Sequence, residues 1–131
     1  MRSLTLFVIL VAFVGATSTG KEDQRMDSLA GKTIRWSFVD GPIPDVTFEH
    51  TFGEDGSVTW RIMDGEHKGA SRREQQYAAV KVNEGTWAIS YLSSSGHTLT
   101  VVLNLDDHRA IGFGSDDKSW YPLTGSFELL Q

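Results

Sequence analysis

The sequence predicts an all-β fold in which about eight strands form a single antiparallel, up-and-down sheet that closes into a barrel. Apolar and polar residues alternate with a period of two in several short segments, as expected for strands with one buried face. Clusters of turn-forming residues separate these segments at short intervals, which favours hairpin connections. After the N-terminal region, no segment has the sustained 3.6-residue period of a helix. A two-layer sandwich has the same local pattern, so these observations leave both architectures open.

The N-terminal region has the layout of a secretory signal peptide. Met1 and Arg2 precede the apolar run LTLFVILVAFVGA, and the small residues Val14 and Ala16 suit a cleavage site. The apolar run is shorter than the ~20 residues of a comfortable membrane span. We therefore expect residues 1–16 to be removed, which predicts a secreted or periplasmic protein that is not attached to a membrane after cleavage.

The remaining chain has room for a single domain, since the whole sequence has 131 residues. Cleavage as late as about residue 20 is also compatible with the pattern. Residues 17–28 are mostly polar and aperiodic, which predicts a flexible leader. The period of two begins after them, so residues 29–131 are the predicted barrel domain.

The first half of the domain predicts one strand followed by a hairpin. TIRWSFVD alternates as a strand, and GPIPD ends it because two prolines and a glycine do not fit inside a sheet ladder. TFEHTF and SVTWRIM form the two arms of the hairpin around the turn GEDG. The alternation places nine residues on one face of these strands, namely Ile34, Trp36, Phe38, Phe48, His50, Phe52, Val58, Trp60 and Ile62.

The second half predicts a series of further strands. RREQQYAAVKV indicates one strand, most securely over Tyr77 to Val82, and TWAISYL, TLTVVLNL and AIGFGS follow with turns between them. The last segment, SWYPLTGSFELL, is predicted to enter the sheet only after Pro122, because proline interrupts a ladder.

Composition excludes several classes of function. The formal net charge is −5 with scattered basic residues, so nucleic acid is not a predicted partner. The chain has no cysteine, which excludes disulfides, thiolate metal sites and cysteine nucleophiles. Its four histidines lack HxH or HExxH spacing, and the acidic segments DDHR and GSDDK lack EF-hand spacing. No metal and no cofactor is therefore predicted.

The ordered motifs resemble a known family. LAGKTIRWSFVDGP, TFEHTFGEDGSVTWRI, YAAVKVNEGTWAISYLSSSGHTLTVVLNLDD and IGFGSDDKSW are similar to the MoaF-like proteins of the calycin, or lipocalin-like, barrel group. The similarity extends from Leu29 to Phe127. It implies an antiparallel barrel with a pocket inside one end, and it favours the barrel over the sandwich.

The same motifs resemble, more distantly, the bacterial phenolic acid decarboxylases. That resemblance implies two carboxylate-binding tyrosines, but Trp36 and Phe38 stand at the matching positions. The family's arginine falls near Ala70, with Arg72 only approximately placed, and its catalytic glutamate falls at Ser93. Because these groups are missing together, decarboxylation by that mechanism is not supported.

Glu49 and His50 are adjacent charged and titratable residues within the predicted hairpin. Successive strand side chains point to opposite faces, so the two cannot act together on one substrate. His50 shares the face of Phe48 and Phe52, where it is either a general acid or base or a hydrogen-bonded core residue. Glu49 is expected on the outer face, paired across strands with Arg35 or Arg61.

The function predicted from these observations is the binding of a small, largely apolar or aromatic molecule inside the barrel. A lyase or isomerase that uses the same pocket, with His50 or a tyrosine as acid or base, and a purely structural role are the alternatives. No catalytic residue is assigned, and the sequence is compatible with a monomer or a homodimer. The candidate pocket residues are Trp36, Phe38, Phe48, His50, Trp60, Tyr77, Tyr91 and Ser93.

Overall fold

The fold is all-β and consists of one antiparallel sheet. A computed structural model describes residues 28–130, so the predicted signal peptide and all but the last residue of the predicted leader lie outside the described residues. Within this range there is no helix of the length and hydrophobicity needed to cross a membrane. The strands are β1 (Thr33–Phe38), β2 (Thr47–Phe52), β3 (Val58–Ile62), β4 (Ser71–Glu74), β5 (Tyr77–Asn83), β6 (Thr86–Leu92), β7 (Thr98–Asn104), β8 (Arg109–Ser115) and β9 (Trp120–Leu129).

The sheet curls into a nearly closed barrel. Its order is β4-β3-β2-β1-β9-β8-β7-β6-β5, so β1 pairs with β9 and the two unpaired edges are β4 and β5. Only Gln75 and Gln76 connect these edges, and a connection of this length spans at most about 11 Å. The backbone N–H of Tyr77 also donates to the carbonyl of Gly56, 3.0 Å away in the turn between β2 and β3. The barrel prediction is thus confirmed, with one seam between β4 and β5.

Two details of the predicted strands are corrected. The segment RREQQYAAVKV forms β4 and β5 instead of one strand, so the sheet has nine strands. The chain leaves one edge of the sheet at Glu74 and joins the other edge at Tyr77, and this change of partner divides the segment.

The second correction concerns Pro122, which lies inside β9 and not before it. It pairs with Phe113 of β8, whereas the pairing of β9 with β1 begins only at Gly125. This part of β9 therefore has a strand partner on one side only. A proline is compatible with such a position because its missing N–H can face the unpaired side.

The period of two correctly predicts which side chains face the interior. Alternate residues of β1, β6 and β8 are buried. The buried apolar residues form one cluster, including Ile34, Trp36, Phe52, Val58, Trp87, Ile89, Val101, Leu103 and Phe127. Without disulfides, the burial of this cluster is the main favourable contribution to folding.

Two glycines allow neighbouring strands to approach closely. A Cβ atom at Gly112 of β8 would lie 1.9 Å from the backbone oxygen of Thr100 in β7. A Cβ at Gly125 of β9 would lie at the same distance from the oxygen of Ser37 in β1. Because these obstacles are backbone atoms, no side-chain movement relieves them.

We expect Gly112→Ala to lower the free energy of unfolding by about 3 kcal/mol, since the added methyl group must push β7 and β8 apart. Gly85→Ala is the matched control. Its Cβ would meet only the side-chain carboxyl group of Asp106, whose nearest atom lies at 3.0 Å. Urea unfolding followed by tryptophan fluorescence measures both variants. Equal stability of the two would contradict the close approach of β7 and β8.

Candidate functional site

A cavity of about 110 Å³ lies at one end of the barrel, next to the connection between β1 and β2. The predicted pocket residues Trp36, Phe38, Phe48, His50 and Tyr91 line it. They come from the ends of β1, β2 and β6, where the period of two turns their side chains inward. The cavity wall is therefore mainly aromatic.

The remaining lining residues were not predicted. Asp40, Pro42 and Ile43 come from the β1–β2 connection and form the rim. Leu99, Tyr121 and Leu123 complete the wall from β7 and β9. The sequence predicts that GPIPD ends the first strand, but the period of two does not specify which side chains of such a loop reach a cavity.

His50 and Tyr91 form a buried hydrogen-bonded pair in the cavity wall. Nε2 of His50 lies 2.7 Å from the hydroxyl oxygen of Tyr91. The imidazole is 1% exposed, and its ring centroid lies 4.1 Å from that of Trp36. Removal from water lowers the pKa of His50 to about 3, so the ring is neutral near pH 7. Burial, together with the negative charge of Glu74, raises the pKa of Tyr91.

One ring nitrogen of this pair has no hydrogen-bond partner in the described part of the protein. Among residues 28–130, Nδ1 of His50 is buried without a hydrogen bond. Leaving a buried polar group unpaired costs about 1–3 kcal/mol. Trp87 Nε1 is the other such side-chain atom in this part of the chain, but Trp87 does not line the cavity.

Three predicted pocket residues lie elsewhere. The indole of Trp60 donates to Glu74 at 3.1 Å. The hydroxyl of Tyr77 donates to the carbonyl of Gly53 at 3.2 Å. Tyr77 and Ser93 do not line the cavity. They line an open groove of about 690 Å³ along the seam, and Tyr91 lines both the groove and the cavity.

Glu74 is a buried carboxylate at the seam, and sequence reasoning missed it. It is 2% exposed. Besides the indole of Trp60, it accepts from the Ser93 hydroxyl at 2.8 Å and the Ser94 backbone N–H at 2.9 Å. Burial alone would raise the pKa of Glu74, but the hydrogen bonds from Ser94, Trp60 and Ser93 outweigh it and lower that pKa. The charged and polar segment RREQQY predicts that its glutamate is exposed to solvent. Glu74 is buried only because the sheet curls and brings the segment after β6 against it.

Ser93, where the decarboxylase resemblance would place a glutamate, is thus a hydrogen-bond donor to Glu74. All three contacts of this carboxylate come from the protein's own side chains and backbone, and they join β3 and the end of β6 to β4. Its role in the described structure is to join the edge strand β4 to the segment that follows β6.

Glu49 lies on the outer face, as predicted, and both expected arginines contact it. Arg35 approaches one carboxylate oxygen at 2.9 Å and Arg61 the other at 3.2 Å. The hydrogen bond from Arg35 is the main reason why the pKa of Glu49 is lowered. The adjacent residues Glu49 and His50 therefore act separately, one outside the barrel and one inside. In residues 28–130, no group of three or more histidine, aspartate or glutamate side chains could hold a metal ion.

Comparisons with known proteins agree with the predicted family. The model of the MoaF N-terminal domain matches residues 14–116. The crystal structure of a "putative beta-lactamase" from Burkholderia vietnamiensis has a similar fold, with a TM-score of 0.65 and 21% sequence identity. The similarity covers 78% of this chain and 95% of that chain, and at this identity it shows the fold alone. None of the curated proteins matches the chain.

We expect Glu74→Gln to lower the free energy of unfolding by about 2 kcal/mol at pH 7, because hydrogen bonds to a charged group are lost. The folded-state pKa lies below the ordinary value of 4.5. The contribution of the carboxylate is therefore present above pH 4.5 and is lost as the pH falls through the folded-state value. Urea unfolding at several pH values should show the difference from the unmodified protein shrinking below pH 4.5. The exposed residue Glu66 provides the control, Glu66→Gln, and an equal effect of both changes would contradict the role of Glu74.

The buried imidazole predicts a second pH dependence. The folded-state pKa of His50, about 3, lies below its ordinary value of 6.5, so the unfolded chain binds the proton more readily. Stability is complete above pH 6.5 and falls below it, by about 2 kcal/mol between pH 7 and pH 5. His50→Leu should remove this slope, whereas His67→Gln, at an exposed histidine, should retain it. An unchanged slope in His50→Leu would show that His50 is not buried in its neutral form.

Proposed function

The chain belongs to the family of the MoaF N-terminal domain, and we propose that it is an exported protein that binds one small, largely apolar molecule. The observation that carries this proposal is the cavity itself. It remains open in an interior otherwise occupied by buried apolar side chains, and aromatic rings surround the hydrogen-bonded pair of His50 and Tyr91. Apolar walls with a few fixed polar groups are typical of small-molecule sites.

The size of the cavity limits the ligand. Its volume of about 110 Å³ is below the ~150 Å³ of an apolar cavity that admits benzene. A six-membered ring therefore fits the enclosed part only partly, and its remaining atoms extend through the rim formed by Asp40, Pro42 and Ile43. The affinity comes mainly from apolar surface removed from water, at roughly 25 cal/mol per Å².

The protonation properties of the pair favour binding over acid–base catalysis. An efficient general acid or base has a pKa near the working pH. Burial moves the pKa of His50 down to about 3 and that of Tyr91 upward. Both groups therefore keep their neutral forms near pH 7, which suits a fixed hydrogen-bonding pair and counts against the lyase or isomerase alternative.

The seam groove is a less suitable ligand site despite its larger volume. Its lining includes Arg73, Gln75, Gln76, Ser93 and Ser94, which are polar. The buried carboxylate beside it already accepts three protein hydrogen bonds. The wall of the groove is therefore more polar in proportion than the wall of the cavity. The N-terminal pattern supports export, and the proposed binding is therefore outside the cytoplasm.

Filling the cavity should abolish binding. We expect single-ring compounds such as toluene or cyclohexanone to raise the melting temperature of the unmodified protein and to change the fluorescence of Trp36. A ligand at 100 times its Kd stabilises by about 2.7 kcal/mol. Leu99→Trp places an indole in the cavity and should remove this response. Leu92→Trp is the matched control, because Leu92 is 72% exposed. If none of the compounds binds the unmodified protein, or if Leu99→Trp binds as well as Leu92→Trp, the proposal is wrong.

A further inference from the structure

The hydrogen bond between His50 and Tyr91 leaves one proton without an acceptor. Each partner brings one hydrogen to the pair, because a neutral imidazole has one N–H and a phenol has one O–H. The burial of His50 keeps its ring neutral. Only one of these two hydrogens can lie in the single 2.7 Å contact between Nε2 and the hydroxyl oxygen.

Both possible tautomers of His50 leave one hydrogen of the pair without an acceptor among the described residues. If Tyr91 donates to Nε2, the proton of His50 is on Nδ1, which has no partner in residues 28–130. If Nε2 donates instead, the O–H of Tyr91 is unused, because the only hydrogen-bond contact of this hydroxyl in the same part of the chain is with His50. In either case the pair therefore has one donor without a protein acceptor in this range.

The charges around the cavity disfavour an anion at this donor. Among the lining residues, Asp40 is the only one with a formal charge near pH 7, and it is acidic. The negative charge of Glu74 also acts on Tyr91. No lysine or arginine lines the cavity, so a carboxylate bound there would lack a counter-ion and would be costly to bury.

We infer that the ligand carries an uncharged hydrogen-bond acceptor, such as the oxygen of a ketone, aldehyde or ester, which binds the donor left free by the His50–Tyr91 pair. This inference rests on the proposed function and specifies the chemical class of its ligand. The apolar part of the ligand lies against Trp36 and Phe38. Its oxygen accepts from the Tyr91 hydroxyl while Nε2 of His50 donates to Tyr91, because Nδ1 is itself covered by the protein. An apolar molecule without such an oxygen leaves the donor unpaired.

Three compounds of similar shape test the inference on the unmodified protein. Cyclohexanone has the acceptor, methylenecyclohexane replaces its oxygen by a CH₂ group, and cyclohexanecarboxylate carries a negative charge. Isothermal titration or competition with a fluorescent probe measures each Kd at pH 7. We expect cyclohexanone to bind about 3- to 10-fold more tightly than methylenecyclohexane, as one net hydrogen bond predicts. We expect cyclohexanecarboxylate to bind more than about 10-fold more weakly than cyclohexanone.

Variants of the pair show whether it supplies the donor. His50→Leu frees the Tyr91 hydroxyl and Tyr91→Phe frees the N–H of His50, so either single change should retain the preference for the ketone. The combined change, His50→Leu with Tyr91→Phe, removes both donors and should make the Kd values for ketone and hydrocarbon equal. Retained binding of methylenecyclohexane by the double variant shows that the cavity is intact. If the double variant does not fold, the compound series on the unmodified protein decides alone.

The outcomes separate this inference from the proposed function. If methylenecyclohexane binds as tightly as cyclohexanone, the cavity binds small molecules but the inference is wrong. Tightest binding by cyclohexanecarboxylate would overturn it as well. A preference for the ketone that persists in a folded double variant would assign the donor to another group. If none of the three compounds binds, both the proposed function and the inference fail.

Discussion

The carboxylate of Glu74 holds together the one place where the sheet is not joined by strand pairing. β5 begins opposite Tyr91 of β6, so the end of β6 has no partner from β5 beyond that point. Glu74 of β4 contacts Ser93 and Ser94 there and binds Trp60 on its other side. A buried carboxylate is stable only when such donors surround it, and this one uses them to close the barrel.

Closure of the seam determines the chemistry of the interior. Because the wall excludes water, the imidazole of His50 is desolvated, and its pKa falls to about 3. The His50–Tyr91 pair is therefore uncharged and fixed, while the opposite face of β2 holds Glu49 between Arg35 and Arg61. The alternating direction of side chains along one strand thus separates an apolar cavity from a charged surface.

The sequence was sufficient for features that depend on local pattern. The period of two predicted β1 to β3 and the inward direction of Trp36 and His50, and cross-strand register explains the contacts of Glu49. The sequence was not sufficient for features that depend on how the sheet curls. Glu74 reads as exposed in a charged segment, and the position of Pro122 is explained only by the late start of the pairing between β9 and β1. The cavity rim comes from a loop, where no period specifies which side chains point inward.

The proposed role depends above all on a hollow inside one end of the barrel. A crystal structure determined under xenon pressure tests this directly, because xenon enters apolar cavities of this kind. We predict a xenon atom within the barrel, in contact with Trp36, Leu99 and Leu123. An interior packed with side chains at that end, with no xenon bound, would contradict the account.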